Sequence, residues 1–256
     1  MIRVLLLVSM LLIANLEAGV LNKEGKYFVS WGWNLSEYTN TDIQFTGNGY
    51  SYTLSDVSAS DRQTDFGWVY IREQTIPQYD LRIGYFFNDR ESIVFGGDHM
   101  KYVMDSPQVV KINGTDQTGK VHNNGTIEVA GFLAFEHTDG LNYINLAYNY
   151  FLPVWEDSTH RHAISLFGGA GAGVVVPRSN VTMLGKSRND KFRLAGYGID
   201  IQGGLHIDLY ENFFFRGELK AGYIDMISVA TSPDDSDRAM HEFGFFEYSF
   251  SIGYTF

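Results

Sequence analysis

The chain has 256 residues, a net charge of −11, 27 glycines, 15% aromatic residues and no cysteine. The excess of acid argues against binding nucleic acid or anionic lipid through a basic surface, and the missing cysteines exclude disulfides and lipid attachment to an N-terminal Cys. Abundant rings together with abundant glycine suit a β-barrel, where aromatics gather at the membrane interfaces and glycine fills a tight lumen.

The first segment reads as a secretory signal. Arg3 gives a positive start, Val4 to Ile13 an apolar stretch, and Glu17-Ala18-Gly19 a small-residue cleavage site. That stretch is too short to cross a bilayer as a helix, which needs roughly 20 residues. Residues 1–18 are expected to be a signal peptide and 19–256 a single all-β domain.

Beyond the signal, eight long segments alternate with a period of two. Residues 27–36 set Tyr27, Val29, Trp31, Trp33 and Leu35 against Ser30, Gly32, Asn34 and Ser36. Residues 79–87 set Tyr79, Leu81, Ile83, Tyr85 and Phe87 against Asp80, Arg82 and Gly84. Residues 92–104 form the third, and 142–152 the fourth, with Asn145, Ala147 and Asn149 on its polar side. The fifth is 163–176. The sixth, 192–209, carries Asp200, Gln202, His206 and Asp208 on one face. The seventh, 213–226, carries Arg216, Glu218 and Lys220 on one face and Phe213, Phe215, Leu219, Ala221 and Tyr223 on the other. The eighth ends the chain, with Phe246, Tyr248, Phe250, Ile252, Tyr254 and Phe256 opposite Glu247, Ser249, Ser251, Gly253 and Thr255.

A tilted membrane strand needs about 9–11 residues, longer than the usual soluble strand. Three charges on one strand face suit a polar lumen, and the apolar opposite face suits lipid. Connections alternate between short polar turns, 88–91, 153–161 and 210–212, and longer loops, 37–76, 105–141, 177–191 and 227–242. The expected fold is an antiparallel transmembrane β-barrel of about eight strands, both termini at the short-turn end. Residues 126–136 also alternate; if they span with a partner from 43–57, the count becomes ten. The preferred reading makes both hairpins extending beyond the membrane, Asn48-Gly49 being the turn of the earlier one.

In an eight-stranded barrel the lumen is just wide enough for side chains to fill. A polar network of Arg82, Asp98, Asp200, His206, Arg216, Glu218 and Lys220 is therefore expected, in place of an open pore. Antiparallel register around the turns sets His206 near Arg216, Gln202 near Lys220 and Arg82 close to Asp98. Buried charges need partners, so Arg82 is expected to pair with Asp98, and Glu218 with Arg216, with Lys220 or with a charge across the lumen.

The last strand resembles the terminal strand of bacterial outer-membrane proteins, which end in Phe after alternating apolar and aromatic residues; here Phe250, Ile252, Tyr254 and Phe256 fit. The resemblance implies recognition by the barrel-assembly machinery, an outer-membrane location, outer-membrane lipid as surroundings and a small barrel of the OmpA-transmembrane-domain kind. It assigns no activity.

Chemistry is sparse. In Glu136-His137-Thr138-Asp139 an acid and an imidazole could do general acid/base work, and His137 and Asp139 would lie at the outer rim, where omptin-like proteases keep their His and Asp residues. The bland alternative is a polar turn with a solvated His. Asp98 and His99 are strand neighbours and point to opposite faces. His160-Arg161-His162 has no third metal ligand in sight, so no metal and no cofactor are expected. The leading expectation is a monomeric structural or surface-interaction barrel meeting an unidentified external ligand. The rivals are a lipid- or peptide-hydrolysing enzyme and a narrow channel.

Overall fold

The computed structural model describes residues 22–62, 78–159, 161–183, 189 and 191–256; the expected signal segment and His160 lie outside them. In chain order the strands are β1 (Tyr27–Tyr38), β2 (Thr41–Gly47), β3 (Tyr50–Val57), β4 (Ala59–Ser60), β5 (Tyr79–Asn88), β6 (Glu91–Met104), β7 (Val109–Thr115), β8 (Val121–Glu128), β9 (Leu133–Glu156), β10 (Ala163–Pro177), β11 (Asn180–Met183), β12 (Gly196–Asp208), β13 (Phe213–Ala230) and β14 (Arg238–Thr255).

Eight of them close a ring in the order β1-β5-β6-β9-β10-β12-β13-β14. The seam joins β14 to β1, from Phe28 opposite Thr255 to Tyr38 opposite Phe245. Tyr27 and Phe256 finish it with two backbone hydrogen bonds, of 3.0 and 2.8 Å. Every neighbouring pair in the ring is antiparallel.

Alternation sorts the ring's side chains. Trp31, Ile83, Phe95, Leu146, Ile201, Leu219 and Phe250 are exposed on the outside, while Ser30, Arg82, Asp98, Asn145, Gln202, Glu218 and Ser249 are buried inside. A soluble lipocalin-like barrel has the opposite polarity, and apolar side chains turned outward with charge turned inward suit hydrocarbon surroundings. The fold is that of a transmembrane β-barrel. Towards the loop end the outward rows turn polar at Glu37, Asn142, Asp225 and Glu242, which marks that edge of the belt.

Beyond the belt the wall continues. At its upper end β14 pairs with β2 instead of β1, and β3, β7 and β8 follow in the same sheet. The hairpin turn falls at Asn48-Gly49, with Gly49 at φ 83°. Residues 126–136 behave differently from a single strand. Gly131 adopts φ 78° and turns the chain, so that β8 ends at Glu128 and β9 starts at Leu133. The strand count in the ring is therefore eight. β14 starts at Arg238, eight residues before the alternation suggests, because its first turns pair with β2 above the membrane.

Candidate functional site

The lumen is filled in three layers. At the terminus end Phe28, Phe86, Val94, Phe151, Phe167 and Phe214 form an apolar plug. Glycine makes room for it: a Cβ at Gly84 would lie 2.1 Å from the Phe28 ring, and one at Gly253 2.1 Å from the Phe214 ring. Lys23 covers the plug, 2.8 Å from Asp208 and 5.3 Å above the Phe86 ring. His206 sits beside it, 4.4 Å from Phe214 by ring centroids, with Nε2 3.2 Å from Asp208 Oδ1.

Above the plug lies an ionic layer. Arg82 Nη1 lies 2.8 Å from Asp80 and 2.6 Å from Asp98, and its Nη2 lies 2.9 Å from Glu218. Arg216 is 2.6 Å from Glu218 on the same strand, and Lys220 is 3.7 Å from it. Lys220 Nζ also reaches Asp98 at 2.5 Å. In the ring β6 and β13 stand diametrically opposite, so the Asp98–Lys220 pair bridges the full width of the lumen. Amides complete the layer: Asn34 donates to Glu247 at 3.2 Å and Asn145 to Asp98 at 3.1 Å. Asp200 accepts from the Tyr143 hydroxyl at 2.8 Å. The β12–β13 hairpin aligns His206 with Arg216 and Gln202 with Lys220.

Of the sequence-derived lumen residues, Arg82, Asp98, Arg216, Glu218 and Lys220 thus meet in one cluster. Asp200 sits at its edge and His206 in the plug. Sequence reasoning left Asp80, Glu247 and Asn34 out of the network, although it placed each of them on the polar face of its strand. It also expected polar filling throughout, whereas both ends of the lumen are apolar. The cause is visible in Phe86-Phe87 and Phe213-Phe214-Phe215, where rings on both faces hide the period of two.

The third layer is the cap at the loop end. His137 on β9 is fully buried, with its Nδ1 2.7 Å from Ser179 Oγ. His241 on β14 stacks on it at 5.7 Å, and Tyr102, Phe135 and Phe243 surround the pair. His137 Nε2 and both His241 ring nitrogens have no hydrogen-bond partner among the described residues. Burial, and secondarily His241, push the His137 imidazole well below its ordinary range; burial alone brings His241 down to about 3. Both rings are therefore neutral aromatic packing. Asp139 lies within β9, and its side chain is outside the described residues. Ser179 and His241, which His137 does touch, stand 42 and 104 residues away in the sequence, and no local motif points to them.

The terminal row, Phe250, Ile252, Tyr254 and Phe256, faces outward, with Ile252 63% exposed. No family model and no curated protein matches this sequence. Among solved structures the chain is similar to the outer membrane protein OprG from Pseudomonas aeruginosa, at 12% identity over 91% of this chain and 97% of that one, with a TM-score of 0.47. It is similar to Ail, the attachment invasion locus protein of Yersinia pestis, at 12% identity over 91% and 99%, TM-score 0.34. It is also similar to the outer membrane protease OmpT from Escherichia coli, at 11% identity over 94% and 99%, TM-score 0.31. The likeness is one of architecture and says nothing of role.

Proposed function

We propose that this chain is a non-conducting barrel of the bacterial outer membrane, with a structural or surface-binding role carried by the folded cap and loops at the end away from its termini. The observation that carries the reading is the 2.5 Å contact between Asp98 and Lys220 across the lumen. A water-filled pore at that level would separate these groups. The apolar belt and the alternation of the last strand support the location, and that strand's resemblance supports assembly by the barrel-assembly machinery. The eight belt strands close on one another within one chain, so no second copy is needed to complete the barrel. Reconstitution in planar bilayers tests the reading: no resolvable open steps are expected, and stable unitary conductance would defeat it.

A second reading, an acyl-transferring enzyme at the rim with Ser179 as nucleophile and His137 as base, draws on their 2.7 Å contact. Against it stand the burial of both groups and the absence, among the described residues, of a partner on His137 Nε2 to orient the ring. Turnover of lipid or peptide substrates that disappears in Ser179→Ala would favour it; no turnover removes it.

A further inference from the structure

Charge is unevenly spread over the loop end. Residues 37–76 carry six acids and two cations, 105–141 five and two, and 227–242 four and one. The connection 177–195 reverses the pattern, with five cations, Arg178, Lys186, Arg188, Lys191 and Arg193, against the single acid Asp190. Lys186, Arg188 and Asp190 lie outside the described residues. The described part lies against the barrel wall: Arg178 and Phe192 form a β-bridge, and the Ala195 amide donates to the Val175 carbonyl at 2.9 Å.

There Phe192 lines a cavity of about 220 Å³ on the outward face, at the belt's loop-end edge. Its walls are of two kinds. Ile144, Val176 and Phe192 are apolar, whereas Tyr79, His99 and Asn142 are polar; Gly97 and Asp98 complete the lining, the Asp98 carboxylate being paired with Arg82 and Lys220 in the lumen. His99 continues the lipid-facing row of Ile93 and Phe95, an unusual place for an imidazole. It is buried, with Nδ1 2.8 Å from Asn142 Oδ1 and Tyr79 stacked on it at 5.1 Å. An apolar pit with a polar floor, flanked by cations at the membrane edge, has the polarity of an amphiphile. Cations at a lipid surface are attracted to anionic headgroups.

We propose that this cavity, with Lys191 and Arg193 on either side of Phe192, binds an anionic phospholipid of the adjoining leaflet. A chain segment of the lipid fills the pit beside His99, and its phosphate meets Lys191 and Arg193. Arg193 now pairs with Asp235 at 3.0 Å, both side chains being substantially exposed. Such a surface pair is worth little and yields readily to phosphate. The acidity of the whole chain thus conceals a local lipid-binding surface of the opposite sign. The inference rests on the transmembrane reading.

The test uses the full chain in nanodiscs containing equal phosphatidylglycerol and phosphatidylcholine with the same acyl chains, with retained lipid counted by native mass spectrometry. Preference for phosphatidylglycerol of about tenfold or more is expected, collapsing to near parity in Lys191→Glu/Arg193→Glu. Gly97→Phe is the second variant. Gly97 lines the cavity and a Cβ there meets nothing within 4 Å, so a side chain at this position starts in open space and occupies the pit. It should lower retention of both lipids several-fold. Free glycerophosphoglycerol should not displace the bound lipid. Equal retention by the parent chain, a preference that survives charge reversal, unchanged retention in Gly97→Phe, or displacement by the free headgroup would each overturn the proposal. Failure of the chain to insert at all would instead defeat the transmembrane reading beneath it.

Discussion

Lys220 carries its charge across the lumen to Asp98 in surroundings where neither group reaches water. Removing one partner of such a pair leaves a buried charge uncompensated and costs about 3–5 kcal/mol. Lys220→Met should therefore lower the stability of the folded barrel by that amount in urea titrations in lipid vesicles. Adding Asp98→Asn should recover part of the loss, because Arg82 keeps Asp80 and Glu218 as partners. A double variant as unstable as the sum of the singles would mean that the two charges do not interact. His137 and His241 make a different expectation, in the cap. Folding holds both imidazoles below their ordinary value near 6.5, by burial. A group depressed in this direction is neutral in both states above pH 6.5, so its contribution is intact there. Below pH 6.5 the unfolded cap binds protons that the folded cap excludes, and stability falls as the pH drops towards 3. Hydrogen-exchange protection factors at β2 and β3, referred to the intrinsic rate at each pH, should fall across that window while the barrel strands stay protected, and His241→Phe should flatten the response.

The strands differ in how plainly the sequence announces them. β14 is legible because Glu247, Ser249 and Ser251 alternate with Phe246, Phe250 and Ile252, and both faces have a consistent destination. Its outward face makes a sharp prediction. Phe250 is 58% exposed midway along the lipid-facing row, and an arginine near the bilayer midplane costs about 2–4 kcal/mol. Phe250→Arg should thus destabilise the inserted barrel by that amount, whereas Phe250→Leu should stay within about 1 kcal/mol; equal effects would mean that this face does not meet lipid. β7 was not legible, since Val109, Val110 and Ile112 put apolar residues on both faces and the strand pairs only with β3 and β8 above the membrane. The ionic cluster was half legible. Same-face spacing nominates Arg216, Glu218 and Lys220, and hairpin register brings Arg82 towards Asp98. The contact between β6 and β13 is set by closure of the ring, which no local pattern encodes. The cap histidines were the least legible, because His137 and His241 meet only through the folding of long connections.

At the scale of the molecule the three layers act in series, and a path through the lumen must pass all of them. Phe28, Phe86, Phe151 and Phe214 close the terminus end, the Arg82–Asp98–Lys220 cluster closes the middle, and the aromatic cap closes the loop end. An apolar constriction resists ions by a different mechanism from a salt-bridged one, since the first excludes water and the second fills space with paired charge. Opening one layer should therefore be insufficient. Arg82→Ser/Lys220→Ser should leave planar-bilayer conductance below detection although the central layer is gone. Adding Phe28→Ala, Phe151→Ala and Phe214→Ala should still leave the chain closed while β2 and β3 cover the loop end. Conductance is expected only when residues 41–57 are also replaced by a short Gly-Ser linker, which removes Ile43, Phe45, Tyr52 and Leu54 from the cap core. Steady conductance from the two-residue variant alone would show that the aromatic layers are not barriers, and that the ionic cluster is the sole gate in a channel.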